Sequence, residues 1–451
     1  MKATYFLGNG KFETREVTLR EPADDEVVVK VAACGVCGTD VHICNGDKGS
    51  ADVTPPVILG HEFSGVVEKI GKNVRTLQVG DHVTVDPNIY CGTCHYCKTG
   101  KKNMCQNLFA IGVNRDGSFA EKCVVPEKQC IVLDKSLPLK YGAMTEPLAC
   151  CLRGIDIAGI RHGDTVCVIG DGAIGLLMVQ LAKLAGASKV LLSAPIESRK
   201  AIGLALGADV VVNPVKENLL DRIREEFHSD GADVVIECVG SLQATDQAVN
   251  AADRGGTVLL FSVPKAGATY GLSMESVYKK ELKICGSFIN PDTHGRAASL
   301  ISSGKIQLEP ILTHSYPVDR LGGHPHADER RVHQGDRGAL SPPKQGFASA
   351  HMFFRGSNSL MEKEMIQEIM YSPHQVSFRT VPVPQVLPGQ VKVKIKMIGI
   401  CGSDIHVFHG THPFTSYPVT QGHEVSGEIV EIGENVTGLS VGQQVTIEPQ
   451  V

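Results

Sequence analysis

The residues with the clearest chemistry are four cysteines in the segment CGTCHYCKTGKKNMC. Their spacing, C-x2-C-x2-C-x7-C, allows four thiolates to surround one Zn²⁺ ion as a tetrahedron. A site with four thiolate ligands leaves no position open for substrate, so we predict a structural zinc site. Its ligands are Cys91, Cys94, Cys97 and Cys105.

A second set of metal-ligating side chains is spread over three segments. Cys37 lies in ACGVCGTDVH, His61 and Glu62 lie in GHEFSGVV, and Glu146 lies in TEPLACC. A thiolate, an imidazole and carboxylates suit a catalytic zinc site, which keeps one position for water or substrate. Each residue alone is a weak signal, because a single cysteine is often a core residue. Their occurrence together with the four-cysteine segment supports the prediction.

The third feature is a glycine-rich turn in VCVIGDGAIG, where Gly170, Gly172 and Gly175 form G-x-G-x-x-G. A strand-like run precedes it and a helical pattern follows it, which is the context of a dinucleotide-binding turn. The glycines permit a tight turn and close approach of a pyrophosphate to the helix N-terminus. We therefore predict coenzyme contacts from these glycines and from Ala173 and Ile174 between them.

The elements that would position these residues follow from the sequence pattern. Residues 1–150 contain short β-type runs separated by Gly and Pro, which predicts an irregular β unit. Residues 164–290 alternate apolar strand-like runs with helical patterns, which predicts a doubly wound parallel sheet. The predicted fold class is therefore α/β, and residues 291–321 return to mixed helix and strand.

Composition excludes several classes of function. The chain has 451 residues, 42% of them hydrophobic, a formal charge of −5 and a pI near 6.4, which argue against nucleic-acid and anionic-membrane partners. No apolar run reaches the roughly 18 residues that span a bilayer, and the N-terminus lacks the pattern of a signal peptide. The 15 cysteines are an odd number and suit metal ligation in a reducing cytoplasm better than a disulfide framework.

The chain also contains an internal repeat. The segment at 60–85 and the segment at 422–447 are identical at 14 of 26 positions, which is too many for chance. The string CGTDVH after Val36 likewise returns as CGSDIH at 401–406. The repeat places Cys401, His423 and Glu424 in the positions of the first copy's metal-ligating residues, although we expect no working site there.

Residues 322–360 show no helical or strand periodicity, so we predict an irregular linker. We back-translated residues 322–340 with all permitted codons and read the result one nucleotide later. The residues that this shifted frame allows include an amphipathic turn of helix followed by an apolar strand. We therefore suspect a frameshift near Leu321 and read-through into a neighbouring gene. An intended fusion is the alternative.

Taken in order, CGVCGTDVH, GHEFSGVV, the four-cysteine segment, EPLACC and VIGDGAIG resemble the zinc-dependent medium-chain alcohol dehydrogenases, in the branch of sorbitol, threonine and polyol dehydrogenases. The resemblance covers residues 1–321, and residues 361–451 resemble the start of the same family again. It implies a GroES-like catalytic domain over 1–153 and 291–321, a Rossmann domain over 154–290, and a truncated second GroES-like domain over 361–451.

The resemblance also assigns roles. It implies that Cys37, His61 and Glu62 bind a catalytic zinc, with Glu146 as alternative ligand or neighbour of the metal. It further implies that Thr39 bonds the substrate oxygen and that His42 relays the proton. The implied reaction moves a hydride between a secondary alcohol, polyol or sugar acid and NAD or NADP, in a homo-oligomer that is a dimer or tetramer. The alternative is a non-catalytic zinc-binding fusion or read-through product.

The choice of coenzyme stays open at this point. In this family the second strand of the Rossmann domain is expected to end in an acid that bonds the adenosine ribose. Here Ala194 occupies that position, and Ser198 and Arg199, which follow, could meet a 2′-phosphate. The missing carboxylate favours NADP, whereas an arginine at this place is compatible with either coenzyme.

Overall fold

The structure is a computed structural model that describes residues 1–46, 51–313, 315, 318, 364–399, 404, 407–410 and 415–447. The predicted linker, 322–360, lies outside the described residues. The chain divides into two compact units, Met1–Gly335 and Asp336–Val451, and each is described by itself.

The first part of the first unit is built from short antiparallel strands, as the sequence predicts. These strands are β1 (Lys2–Gly8), β2 (Lys11–Glu16), β3 (Glu26–Cys34), β4 (Val57–Ile58), β5 (Phe63–Ile70), β6 (His82–Val85), β7 (Asn88–Ile89), β8 (Phe109–Ala110), β9 (Lys122–Pro126) and β10 (Cys130–Val132). They form a five-stranded sheet in the order β10-β6-β5-β3-β9, a three-stranded sheet β2-β1-β4 and the pair β7-β8. Alternating valines of β3, β5 and β6 build the core of the larger sheet.

Four helices accompany these sheets: α1 (Gly38–Cys44), α2 (His95–Lys98), α3 (Leu139–Gly142) and α4 (Thr145–Ala158). Helix α4 is buried along most of its length, because its apolar residues pack in the core of the following sheet. It ends at Gly159, whose left-handed backbone (φ 67°) satisfies the helix C-terminus through a bond to the Ile155 carbonyl. Helix α4 follows the antiparallel strands in the chain and precedes the parallel sheet. A side chain at its start can therefore lie near the antiparallel strands while the helix packs on the parallel sheet.

The rest of the first unit is a six-stranded parallel sheet with the helices that accompany it. Its elements are β11 (Thr165–Ile169), α5 (Ala173–Leu184), β12 (Lys189–Ser193), α6 (Lys200–Ala205), β13 (Val210–Val212), α7 (Leu219–Phe227), β14 (Ala232–Glu237), α8 (Leu242–Ala251), β15 (Ala252–Leu260), α9 (Met274–Lys280), β16 (Lys283–Gly286) and α10 (His294–Ser302).

The strand order of this sheet is β13-β12-β11-β14-β15-β16, and separate apolar clusters pack on its two faces. The predicted doubly wound Rossmann fold and the α/β class are therefore confirmed, whereas the domain boundaries stay a prediction. Strand order reverses between β11 and β14, so a crevice for ligands is expected at the carboxyl end of β11. No helix in the described parts of the chain is both long and apolar enough to cross a bilayer.

A buried polar network joins the segment after β16 to the β sheets. His294 Nε2 lies 3.2 Å from Thr84 Oγ1 on β6, and its Nδ1 lies 3.4 Å from Asn290 Nδ2. Asn88 Nδ2 donates to Asn290 Oδ1 at 2.6 Å, and Thr293 Oγ1 donates to the Ala149 carbonyl of α4 at 2.7 Å. All five side chains of the network are buried. The network therefore ties α4 and β6 to the chain that returns from the parallel sheet.

The second unit repeats the start of the first. Its strands are β17 (Glu364–Ser372), β18 (Gln375–Pro382), β19 (Val391–Gly399), β20 (Glu424–Ile432) and β21 (Gln444–Thr446). The hairpin β17-β18 corresponds to β1-β2, and the antiparallel sheet β19-β20-β21 corresponds to β3, β5 and β6. The described residues of this unit hold no counterpart of β9, β10 or the parallel sheet.

Replacing His294 with Gln should reduce the sensitivity of the fold to acid. Burial lowers the pKa of His294 to about 3, whereas an unfolded histidine titrates near 6.5. The unfolded chain therefore binds one more proton as the pH falls below about 6.5, and the folded state loses stability over that range. At pH 5 this loss is about 2 kcal/mol, and it is absent above pH 7.

Urea unfolding of wild type and His294→Gln at pH 5 to 8 measures this difference. We expect the free energy of unfolding of the wild type to fall more steeply with acid than that of the variant. Parallel curves for the two proteins would contradict a neutral, buried His294.

Candidate active site

Cys37 is held by the start of helix α1. Its Sγ accepts a hydrogen bond from Thr39 N at 3.2 Å, and its own N–H donates to Asp40 Oδ2 at 3.0 Å. The second bond belongs to a capping box, in which the Cys37 thiol also accepts from the Asp40 N–H in place of the usual hydroxyl. The rotamer of Cys37 is therefore set by the helix terminus that it caps.

His61 and Glu62 reach Cys37 because β3 and β5 are neighbours in the sheet. Cys34, at the end of β3, pairs with Phe63 at the start of β5, and Gly35 N donates to the Glu62 carbonyl at 2.7 Å. A Cβ atom at Gly35 would lie 2.1 Å from Glu62 Oε2, so any side chain there would displace the Glu62 carboxylate. The pairing register of the two strands therefore brings the three predicted ligands together.

The donor atoms of Cys37, His61 and Glu62 lie within 4.8 Å of one another. Cys37 Sγ is 3.0 Å from His61 Nε2. On its other side, His61 Nδ1 faces Asp40 Oδ1 at 3.6 Å. This separation is too long for a hydrogen bond, so the Asp40 carboxylate acts on the imidazole through its charge, on the side of the ring opposite Nε2.

Glu146 is buried in the first turn of α4, close to this cluster. Its Oε1 accepts a hydrogen bond from Cys150 Sγ, one turn later in the helix, at 3.3 Å. Its carboxyl group is not among the donor atoms within 4.8 Å of one another, although its charge acts on both His61 and Glu62. Glu146 therefore lies beside the cluster, and its role as ligand or neighbour stays a prediction.

The electrostatics of the cluster show an excess of acidic groups. Burial and the charge of Glu146 raise the pKa of Glu62 to about 8. Burial also raises the pKa values of Glu146 and of the Cys37 thiol. Burial disfavours the charged form of His61, but the charges of Cys37 and Asp40 outweigh that effect and raise its pKa. Four acidic groups, Cys37, Asp40, Glu62 and Glu146, thus lie around a single buried imidazole. A divalent cation would relieve this excess of negative charge.

The donor set also fits zinc by type, since one thiolate, one imidazole and one carboxylate leave a coordination position for substrate. Thr39 and His42 lie on α1 beside this set. They are three residues apart, so they share one face of the helix. Their side chains are partly exposed, whereas the metal-ligating side chains beside them are largely buried. Their roles stay predictions.

The four-cysteine segment closes on itself around α2. Cys91, Cys94, Cys97 and Cys105 bring their sulfur atoms within 4.8 Å of one another. Backbone N–H groups of Thr93 and Cys94 bond to the sulfur of Cys91 and lower its pKa to about 5. The pKa of Cys94 is lowered as well, so the thiolate form is favoured at two of the four positions, whereas burial and the neighbouring thiols raise the pKa of Cys97 to about 12. Four sulfur atoms this close together can surround one Zn²⁺ ion, and the structural zinc site stays a prediction.

The glycine-rich turn lies at the carboxyl end of β11, where the strand order reverses. Gly170 has a φ of 114°, and Gly172 caps the N-terminus of α5. A Cβ atom at Gly175 would lie 1.9 Å from the Gly170 carbonyl oxygen, so helix and strand approach as closely as glycine allows. The exposed Gly172 and Ala173 and the half-buried Ile174 present the first turn of α5 to the crevice. This is the arrangement expected of a pyrophosphate site.

The residues predicted to meet the adenosine ribose lie beside that turn. Ala194 follows β12, is 2% exposed and donates its N–H to the Val212 carbonyl. Arg199 Nη1 donates to the Asp171 carbonyl at 3.2 Å and lies 3.7 Å from Asp171 Oδ1. Ser198 is exposed in the same 3₁₀ turn. The structure therefore brings Arg199 to the glycine-rich turn and leaves no acid at the end of β12.

The second unit keeps part of the metal-site geometry. His423 Nδ1 lies 3.5 Å from Asp404 Oδ1, which reproduces the pair formed by His61 and Asp40. Glu424 is exposed, whereas Glu62 is 8% exposed. Cys401 lies outside the described residues. The repeat therefore retains the histidine–aspartate pair in a more exposed setting.

Sequence reasoning missed three residues that the structure adds to the site. Asp40 lies behind His61, Cys150 bonds to Glu146, and Asp171 holds Arg199. Asp40 could have been found, because an acid three residues after an N-capping side chain completes a capping box. Cys150 lies one helical turn after Glu146, so their contact could have been expected from the helix alone. The contact between Asp171 and Arg199 depends on tertiary structure, and no pattern in the sequence indicates it.

Comparisons with known families agree with this architecture. The description "Alcohol dehydrogenase GroES-like domain" matches residues 23–135 and again residues 387–450. The description "Zinc-binding dehydrogenase" matches residues 173–303. The repeated match of the GroES-like description at 387–450 confirms that the repeat is a partial copy of the N-terminal domain.

Individual relatives cover most of the first unit. The L-threonine 3-dehydrogenase of Pyrococcus horikoshii is 35% identical over 307 residues, which are 67% of this chain and 88% of that protein. The D-arabitol-phosphate dehydrogenase of Enterococcus avium is 34% identical over 307 residues, with coverages of 67% and 86%. A solved structure described as a zinc-binding dehydrogenase of Sinorhizobium meliloti 1021 bound to NADP is 43% identical, with a TM-score of 0.66 and coverages of 68% and 89%.

Single cysteine substitutions should separate the two zinc sites. We expect Cys97→Ser to remove about one zinc ion per chain and to destabilise the fold, because a structural site contributes folding free energy. We expect Cys37→Ser to remove the other zinc ion with little change in the thermal unfolding midpoint. Metal analysis of dialysed protein and thermal unfolding measure both effects.

Cys285→Ser serves as the matched control, since Cys285 bonds only to a backbone carbonyl in the parallel sheet. It should retain the wild-type metal content. Equal zinc content in wild type and Cys37→Ser would argue against the three-residue cluster as a metal site.

Proposed function

Since the chain belongs to the zinc-binding alcohol dehydrogenase family, we propose that it oxidises a secondary alcohol of the polyol, sugar-acid or amino-alcohol type, with NAD(P) as hydride acceptor. The observation that supports this most is the buried cluster of Cys37, His61 and Glu62, with Glu146 beside it. The relatives named L-threonine 3-dehydrogenase and D-arabitol-phosphate dehydrogenase both act on hydroxylated substrates, which fits the proposed class.

In this proposal Cys37, His61 and Glu62 hold a catalytic zinc ion, and the four-cysteine segment holds a structural one. Bound zinc acts as a Lewis acid that lowers the pKa of an alcohol placed at its open position. Asp40 places a negative charge behind the imidazole of His61. Glu146 supplies negative charge next to the site and is the natural candidate to enter or leave the coordination shell.

The proton of the alcohol leaves through residues of α1. Thr39 lies two residues after Cys37, so its hydroxyl can accept a hydrogen bond from the substrate hydroxyl. His42 shares the same helix face and can pass the proton from Thr39 to solvent. Both are partly exposed, in keeping with a relay that begins in the buried cluster and ends in water.

The coenzyme would bind at the carboxyl end of β11. The backbone of Gly170, Gly172, Ala173, Ile174 and Gly175 at the start of α5 would hold its pyrophosphate. We further propose that the adenosine end admits the 2′-phosphate of NADP. Ala194 offers no carboxylate to repel the phosphate, and Ser198 and Arg199 present a hydroxyl and a guanidinium at the neighbouring turn.

The protein is proposed to work as a homo-oligomer. Strand β16 ends the parallel sheet, so one of its edges has no partner within the described residues. Large apolar side chains near that edge are exposed, among them Tyr278 (84%) and Met274 (76%) on α9. An open edge beside apolar surface is a feature that a second copy can cover. The cytoplasm is the proposed compartment, because the metal-ligating thiols must stay reduced.

Replacement of Thr39 tests the proposed chemistry. We expect Thr39→Val to lower kcat by roughly 100-fold or more, because the substrate proton loses its acceptor. Thr39→Ser should retain most of the activity. Steady-state reduction of the coenzyme with a panel of polyols, sugar acids and L-threonine measures both, and coenzyme fluorescence checks that NAD(P) binding is unchanged.

If the zinc-loaded wild type binds coenzyme but oxidises none of these alcohols, the non-catalytic alternative would be favoured. If Thr39→Val were as active as Thr39→Ser, the hydroxyl would have no part in proton transfer.

Replacement of Ala194 tests the coenzyme preference. We expect Ala194→Asp to lower kcat/KM for NADP by about 10-fold or more relative to NAD, because a carboxylate at the end of β12 repels the 2′-phosphate and bonds the free ribose hydroxyls. Ala194→Ser is the uncharged control and should change the ratio little. An unchanged NADP/NAD ratio in Ala194→Asp would show that this strand end does not meet the ribose.

A further inference from the structure

A cavity of about 450 Å³ lies between three segments of the first unit: the end of the four-cysteine segment, helix α4 and the residues after β16. Its lining includes none of the proposed zinc ligands and none of the glycine-rich turn. Its polar and charged members are Lys101, Asn103, Arg153 and Ser287, and its apolar wall includes Met104 and Phe288. It is therefore distinct from the sites described above.

Two polar atoms in this cavity are buried without a hydrogen-bond partner. They are Nε of Arg153, on the third turn of α4, and Oγ of Ser287, just after β16. Lys101 adds a second positive charge to the same lining. A guanidinium N–H buried without an acceptor carries the full cost of its desolvation, so the native protein gains when an acceptor fills that position.

The acids near the cavity already have cationic partners. Asp292, a few residues after Ser287, pairs with Lys102 at 2.7 Å. Asp156, the next acid along α4 after Arg153, pairs with Arg296, which binds both of its carboxylate oxygens. In the described part of the chain, no carboxylate forms an ion pair with Arg153 or Lys101, in contrast to partly buried arginines such as Arg115, which pairs with Glu26 at 2.8 Å. The cavity therefore has an excess of positive charge that no acid among the described residues balances.

We propose that this cavity binds the phosphate or carboxylate group of a small organic anion, with Arg153 as the principal contact. The planar guanidinium presents parallel N–H groups that match two oxygens of a phosphate or carboxylate. Lys101 supplies a second charge and Ser287 a hydroxyl donor. The volume exceeds the needs of a bare oxyanion, and Met104 and Phe288 offer an apolar wall, so the anion carries an organic part.

The cavity is linked to the proposed active site through α4. Arg153 follows Glu146 by seven residues, so the two side chains project from the same face of the helix, about 10 Å apart along its axis. The anionic group can therefore belong to the substrate itself, whose far end would extend along α4, or to a separate effector. Both sources share one chemistry at Arg153, and binding experiments can tell them apart.

The test measures binding rather than turnover. The zinc-loaded full chain is titrated by calorimetry with inorganic phosphate and with an alditol phosphate, at constant ionic strength. We expect saturable binding in the wild type and at least tenfold weaker binding of both probes in Arg153→Met. Arg161→Met is the matched control, because Arg161 is exposed just after the same helix. It should bind both probes as the wild type does.

Stability distinguishes loss of the site from loss of the fold. Without ligand, Arg153→Met should unfold at the same temperature as the wild type or higher, because the substitution removes a buried N–H that has no acceptor. Tighter binding of the alditol phosphate than of inorganic phosphate, lost in Cys37→Ser, would assign the anion to a substrate that reaches the zinc ligands. Equal binding of the two probes, unchanged in Cys37→Ser, would assign it to a separate effector.

Two results would overturn the proposal. One is the absence of saturable binding of either probe to the wild type. The other is equal binding to wild type and Arg153→Met. If Arg153→Met instead changes the sedimentation coefficient while the wild type binds neither probe, the guanidinium meets a carboxylate of a second copy, and the cavity is part of a subunit interface.

Discussion

The structure depends most on one electrostatic constraint, the burial of several acidic groups around a single imidazole. Cys37, Glu62 and Glu146 surround His61, and Asp40 lies behind its ring. In an apolar setting these groups cannot all ionise, which is why the pKa values of Glu62, Glu146 and Cys37 rise. A divalent cation at their centre would replace protons as the counter-charge. The elements of the first unit are arranged so that this cluster forms.

The residues of the cluster come from three segments of the chain, and each segment is fixed by its own interactions. Helix α1 holds Cys37 through a capping box, and the β3-β5 register delivers His61 and Glu62. Helix α4 delivers Glu146 and is anchored from behind by Thr293, which belongs to the same polar network as His294. The coenzyme turn lies on the sheet that packs against α4. The network of buried hydrogen bonds thus couples the metal cluster to the coenzyme-binding sheet in one unit.

Much of this could be predicted from the sequence, because the relevant signals are local. The four cysteines lie within fifteen residues, and the glycine-rich turn lies between a strand and a helix that periodicity identifies. The predicted α/β class and the partial second copy are confirmed. The contact of Asp171 with Arg199 and the cavity at Arg153 could not be predicted, because these neighbours are distant in the chain and meet only after folding. Periodicity identifies the elements but carries no information on which buried polar atoms will find partners.

The second unit shows how far a local pattern can preserve a site without its surroundings. Asp404 and His423 adopt the geometry of Asp40 and His61, since both depend on the pairing of two strands and one short helix. Glu424 is exposed, because the described part of this unit has no equivalent of α4 to cover it. The pairing of the histidine with the aspartate is therefore a property of local structure, whereas burial and the charge imbalance that favours a metal require the complete domain.

The most direct test of the account is anomalous diffraction at the zinc edge from crystals of the zinc-loaded full chain. The account predicts two strong peaks in the first unit. One lies between Cys37 Sγ, His61 Nε2 and Glu62, and the other lies among the four sulfur atoms of Cys91, Cys94, Cys97 and Cys105. A single peak at the four cysteines, with Cys37 Sγ still in a hydrogen bond with His61 Nε2, would contradict a catalytic zinc site.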